Sequence, residues 1–114
     1  MDFSAMCPRY ELAVELLSKR WTGLILRALM EGPSRFTKVR VYVPGLSDRM
    51  LSERLQELEK VGIVERRVYP RRPVIVEYAL TEKGHDLRGV LEAIQSWANR
   101  WVEVEGPSQP VEAK

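Results

Sequence analysis

The stretch from Ser47 to Leu80 constrains the fold of this chain most, because its apolar period changes within it. Ser47 suits a helix start, its hydroxyl able to satisfy one of the free amides of the first turn. Leu51, Leu55 and Leu58 follow at i, i+4 and i+7 and form one narrow apolar stripe. Gly62 ends that helix. Val64 to Tyr69 and Val74 to Leu80 are then two runs rich in β-branched residues, joined by Pro70-Arg71-Arg72-Pro73. This is the pattern of two strands and a short loop.

The upstream half reads as helices. Pro8 fits the first turn of a helix to about Leu17, with Leu12, Ala13 and Leu16 facing inward. After a break at Ser18, a second helix runs from about Trp21 to Glu31, with Leu24, Ile25, Ala28 and Leu29 on its apolar face, and Gly32-Pro33 stops it. Ser34-Arg35-Phe36 reads as a short extended piece. A third helix covers roughly Thr37 to Val43, where Val39, Val41 and Val43 would also suit a strand, and ends at Pro44-Gly45. Thr81 caps a last, long helix carrying Leu87, Val90, Leu91, Ile94, Trp97, Ala98 and Trp101. Two helices around a tight turn, followed by a two-stranded ribbon, predict an α+β, mainly α chain: a winged helix-turn-helix with terminal helices left over for dimerisation.

With 114 residues, the chain has room for one domain, expected over residues 1–105, with residues 106–114 a flexible tail. A net charge of +2 does not announce nucleic-acid binding, so the placement of the charges matters more than their sum. No stretch approaches the roughly 20 apolar residues that span a bilayer. The N-terminus lacks the basic and apolar regions of a signal peptide. Cys7 is the single cysteine, which excludes an internally disulfide-bonded domain and points to a reduced, cytoplasmic setting. No catalytic set, cofactor or metal site is expected. His85 has no cysteine or second histidine near it in sequence, and the seven glycines are scattered rather than gathered in a phosphate-binding loop.

On a wheel of about 100° per residue, Arg49, Ser52, Glu53, Gln56 and Lys60 stand opposite the leucine stripe. Polar side chains of varied length are what a helix in the major groove needs: Arg49 suits guanine, Gln56 adenine, and Ser52 a base edge or phosphate. Glu53 can accept from cytosine while repelling phosphate, which favours selectivity over affinity. Any solvated helix face carries similar charges, so the hairpin matters. Arg71 and Arg72 sit at its tip, with Arg66 and Arg67 on the strand before it, suited to phosphates or to a narrow minor groove. The same charges and prolines also guard a hairpin against edge pairing. Lys38 and Arg40 on the preceding helix are further phosphate contacts.

The sequence resembles the HxlR-type transcription regulators, a branch close to the MarR-like winged-helix proteins. The resemblance is carried by Cys7-Pro8, Lys19-Arg20-Trp21, Leu24-Ile25-Leu26, Arg35-Phe36, the run from Pro44 to Leu55, and Leu58-Glu59. It continues through Gly62 to Arg66, Pro73, Glu77-Tyr78, Leu80 to Gly84, and Trp97. It implies a homodimer with a DNA-binding head in each subunit, residues Ser47 to Gln56 including Met50 in the major groove, and Arg71-Arg72 at the wing tip. It also implies a response to reactive electrophiles or oxidants through a cysteine matching Cys7. The second, C-terminal cysteine of some family sensors is missing. Cys7 paired with Cys7 of a partner, a mixed disulfide with a small thiol, and direct alkylation remain.

A helix N-terminus favours an anion and Arg9 is adjacent, so the residues themselves suit a reactive thiolate at Cys7; a small, partly buried apolar cysteine is the plainer reading. Leu12 and Leu16 of the first helix, with Leu91, Ile94, Trp97 and Trp101 of the last, form the expected two-fold interface, although such a stripe also serves ordinary core packing. The function expected is that of a repressor on double-stranded, inverted-repeat operator DNA. Release comes from thiol modification or a small electrophile, through a change in spacing of the two recognition helices. Two other uses fit the same residues: a winged-helix module for protein contacts, and a small-ligand-binding module without a primary DNA role.

Overall fold

A computed structural model describes residues 7–105. The tail expected over 106–114, and the first six residues of the expected domain, lie outside the described residues. The elements in order are α1 (Pro8–Leu17), α2 (Thr22–Met30), α3 (Phe36–Tyr42), α4 (Asp48–Lys60), β1 (Val64–Tyr69), β2 (Ile75–Leu80), α5 (Glu82–His85) and α6 (Arg88–Trp101). β1 and β2 pair antiparallel, with Val64 opposite Leu80 and Tyr69 opposite Ile75. Ser34 adds a one-residue bridge to Tyr78, donating to its carbonyl at 2.9 Å and accepting from its amide at 2.8 Å. Of the extended piece expected at Ser34-Arg35-Phe36, Ser34 joins the edge of the wing's sheet, whereas Phe36 already opens α3.

The core lies between α2, α3, α4 and the base of the wing. Ile25, Leu26 and Leu29 meet Val39, Val43, Leu46 and the stripe Leu51, Leu55, Leu58, and Ile63, Val64 and Leu80 close it. Helical spacing puts Val39 and Val43 on one face of α3 and leaves Val41 outside, so the valines serve a helix and not a strand. In α2 the buried arc is centred on Thr22, Ile25 and Leu29. Leu24, about 100° around the helix from Ile25, is exposed, contrary to its expected inward role, and Leu26 takes the buried place.

α4 ends as the glycine predicts. Gly62 adopts φ 81°, the amide of Ile63 bonds the carbonyl of Leu58 at 2.9 Å, and that of Gly62 bonds Glu59 at 3.1 Å. This left-handed closure satisfies carbonyls that the helix leaves open and brings Ile63 down onto Leu58. Trp21 starts α2 in the same backbone region, at φ 79°. A side chain there costs about 1–2 kcal/mol, offset by a ring packed against the core.

Two expectations about the terminal helices change. The long last helix is two pieces. The amide of Leu87 bonds the carbonyl of Gly84, three residues back, at 3.0 Å, and the chain turns at Asp86 and Leu87 before α6 begins. Gly84 lies so close to the main chain of Ile63 that a Cβ would overlap its carbonyl oxygen. Thr81 caps only α5, accepting from Gly84 N at 3.2 Å. In α1, Leu12 and Ala13 do not face inward: the helix has no buried residue, and only Leu16 and Leu17 pack on the core. α6 likewise has none, and it rests on its own head through Leu91, a bond from Arg27 to Gln95 Oε1 at 2.5 Å and one from Arg88 to the Met30 carbonyl at 3.3 Å.

Candidate nucleic-acid interface

The turn at Pro44-Gly45 delivers the chain to Ser47, whose Oγ accepts the amide of Met50 at 3.1 Å and sets the first turn of α4. With the leucine stripe on the core, the opposite face is open. The Arg49 side chain is 87% exposed, and its Nε donates to Glu53 Oε2 at 3.1 Å. Gln56 and Lys60 are exposed, and Ser52 and Glu53 are half-buried on the same side. Met50 differs from its neighbours in the expected set: it packs partly against the core.

Arg40 reaches from α3 to the first turn of α4, its Nη1 2.7 Å from Asp48 Oδ1. This contact ties the two helices of the helix-turn-helix together and places one cation beside the N-terminal end of α4. Lys38 is exposed on α3. The wing rises from the same head. Arg71 and Arg72 are exposed at its tip, where the amide of Arg71 bonds the Tyr69 carbonyl at 2.8 Å. Arg66 is exposed on β1, whereas Arg67 turns to the other face and donates to Glu65 at 2.6 Å. That hydrogen bond, more than any other influence, raises the pKa of Arg67 further above its ordinary value.

The arrangement offers a polar helix end and a cationic hairpin tip from one rigid core, able to meet groove and backbone together. Arg54 departs from the expectation that the whole span Ser47 to Gln56 lies in the major groove, although it is not one of the individually expected contacts. It lies on α4 and is turned inward, donating to the carbonyl of Arg20 at 2.9 Å. Its partner is thirty-four residues away in sequence, so no local pattern announces it.

The expected sensor and interface residues lie away from this face in chain order. Cys7 is exposed at the N-cap of α1, with extended backbone and no side-chain bond to the helix amides. Leu12, Ile94, Trp97 and Trp101 are exposed, while Leu16 and Leu91 are half-buried on their own core. An apolar groove of about 710 Å³ runs between α1 and the α5–α6 turn, with Leu12, Leu16, Ile63, Leu87 and Val90 in its walls. His85 is exposed, and among the described residues no cluster of three acidic, cysteine or histidine side chains is placed to hold a metal ion. No described helix is long and apolar enough to cross a membrane.

Comparison with known proteins agrees with this architecture. The family described as HxlR-like helix-turn-helix matches residues 16–106. The uncharacterized HTH-type transcriptional regulator YvaP of Bacillus subtilis (strain 168) is 50% identical over 103 residues, covering 90% of this chain and 95% of the relative. The reduced form of the transcriptional regulator YodB from B. subtilis superposes with a TM-score of 0.79 at 50% identity, over 87% of this chain and 97% of that one. Quinone-bound YodB gives 0.74 at 48% identity, over 84% and 100%. The winged head, the order of its elements and the extent of these matches identify the chain as a member of the HxlR-like helix-turn-helix family of transcriptional regulators.

Proposed function

We propose that the protein is a homodimeric repressor acting in the cytoplasm on inverted-repeat operator DNA. Arg49, Ser52, Glu53 and Gln56 read the major groove, with Ser47 and Met50 at the groove-entering end. Lys38, Arg40, Arg66, Arg71 and Arg72 meet the backbone or minor groove. The observation that carries the reading is the shared mounting of the Ser47-capped end of α4 and the Arg71-Arg72 tip on one core. The dimer follows from energetics. Trp97 and Trp101 are 62% and 66% exposed, and rings of this size are costly to leave in water at about 25 cal/mol per Å². Two copies of α1 and α6 packed about a two-fold axis would cover them.

Release is assigned to Cys7. Its thiol is exposed at the start of the helix that bears Leu12. YodB, similar over most of this chain, has been solved with quinone bound. Addition of the Cys7 sulfur to a quinone ring carbon forms a carbon–sulfur bond and leaves a hydroquinone thioether, with no other oxidant required. The adduct sits at the proposed interface, and a shift between protomers changes the spacing of the two α4 helices. A shift in the dimer of a few kcal/mol suffices to lower occupancy strongly.

The test is affinity for the DNA upstream of the protein's own gene, measured with the protein reduced and then quinone-treated. Tight, salt-sensitive binding that quinone abolishes in the wild type but not in Cys7→Ser supports the reading. Absence of binding even at low salt would leave the winged head to protein contacts or to ligands in the groove.

A further inference from the structure

Arg54 is the most enclosed charged side chain among the ion pairs of α4, with 13% of its surface exposed against 87% for Arg49. Its guanidinium is used in two directions. Nε donates to the main-chain carbonyl of Arg20 at 2.9 Å, and Nη1 donates to Glu57 Oε2 at 3.3 Å. The other oxygen of Glu57 lies 3.3 Å from Lys19 Nζ. Two residues of α4 thus hold both the backbone and a side chain of the segment joining α1 to α2. Arginine's planar fork can serve two such acceptors at once, which a lysine cannot do with the same geometry.

The held segment is stiff. The Thr22 amide closes on the Lys19 carbonyl at 3.2 Å, Trp21 is in the left-handed region, and the Arg20 guanidinium stacks 4.6 Å from the Trp21 ring centre. Beyond it, α1 has no buried residue and keeps only Leu16 and Leu17 against the core. The Lys19-Arg20 corner is therefore a principal attachment of α1 to its own head, and the helix that grips it is α4.

We infer that Arg54 and Glu57 form a strut fixing the angle of α4 relative to α1, so that Arg54 is a positioning residue for DNA recognition without touching DNA. This rests on the dimeric operator reading above, in which α1 belongs to the interface. With the strut intact, the packing of the two α1 helices is passed directly to the angle and separation of the two α4 helices, alongside the hold that α6 has on each head through Leu91, Gln95 and Arg88. With it cut, α1 is held to its head by Leu16 and Leu17 alone, and the tilt of α4 against α1 is less closely set. Affinity for one half-site is then kept while the demand for one spacing between half-sites is lost.

Wild-type protein is used to select inverted-repeat duplexes from a random library. Binding is then measured to the selected duplex, to the same duplex with two base pairs inserted between half-sites, and to an unrelated duplex. In Arg54→Lys and Glu57→Gln the preference for the selected spacing falls about tenfold, as expected for a broken charged network, while the unrelated duplex is bound as before. Lys19→Gln, at the exposed end, lowers the same ratio about two- to threefold and keeps the test available should Arg54→Lys fail to fold. Equal weakening on all three duplexes, or an undiminished spacing preference, overturns the strut. A wild-type protein that selects no paired half-sites overturns the dimeric operator reading itself and the strut's role with it.

Discussion

Arg49 and Glu53 are joined across one turn of α4 by a 3.1 Å bond from Nε to Oε2, with the Arg49 side chain 87% exposed and that of Glu53 46%. An exposed pair at this spacing contributes only about 0.3–0.5 kcal/mol, so it holds the guanidinium in a preferred direction without locking it. Arg49→Ala should weaken binding to the selected operator by about 1–3 kcal/mol and relax choice at one base position. Glu53→Gln should alter the preferred sequence more than the affinity. Both effects are read by repeating duplex selection with each variant, and an unchanged consensus in Glu53→Gln would remove its selective role.

The wing tip predicts a different signature. Arg71 and Arg72 are exposed beyond the sheet, with no base-reading helix to orient them. Arg71→Ala should weaken binding to every duplex alike and reduce the slope of log affinity against log salt by about one. A salt titration on specific and unrelated DNA checks this. Loss confined to the specific duplex would instead place Arg71 on a base.

The exposed tryptophans allow the proposed dimer to be tested apart from folding. Neither Trp97 nor Trp101 belongs to the core or packs against it. Trp97→Glu should therefore give a monomer in sedimentation equilibrium, with operator affinity sharply reduced and the winged head still folded by circular dichroism. A variant that remains dimeric would move the interface elsewhere.

Thiol control is checked by mass as well as by affinity. One equivalent of benzoquinone should add the mass of one benzoquinone to the wild type at Cys7, as a hydroquinone thioether, and none to Cys7→Ser. If DNA release occurs equally in both proteins, Cys7 is not the switch.

Gly84 makes a prediction about stability alone. An added methyl group would meet the Ile63 carbonyl and the side chain of Leu80. Gly84→Ala should destabilise the protein by about 1–3 kcal/mol, the usual size of an overpacking penalty, measured by urea unfolding. Stability equal to the wild type would mean that α5 can shift away from Ile63 and Leu80 at little cost.

Much of the head is legible in the order of residues. Ser47, the leucines of α4, Gly62 and the two β-branched runs each act through neighbours within a turn or a strand, and the structure places them accordingly. The break between α5 and α6 was not legible. Thr81 offers a cap and Leu87, Val90, Leu91 and Ile94 keep a helical period after it with no proline between, while the close approach of Gly84 to Ile63 involves chain twenty-one residues away. Leu24 and Leu12 show another limit: apolar spacing marks a side chain that belongs out of water but not which surface covers it, and both are exposed on the single chain.

The helices, the wing and the polar face of α4 are written in the order of residues, because period, caps and turns are local properties of the chain. The approach of distant segments settles that Arg54 faces Arg20 and Glu57, that Arg40 meets Asp48, and that Leu12 of α1 and Ile94, Trp97 and Trp101 of α6 stay uncovered. Those outcomes depend on which distant segments approach one another, and a charged or apolar side chain looks the same in sequence whichever neighbour it finds.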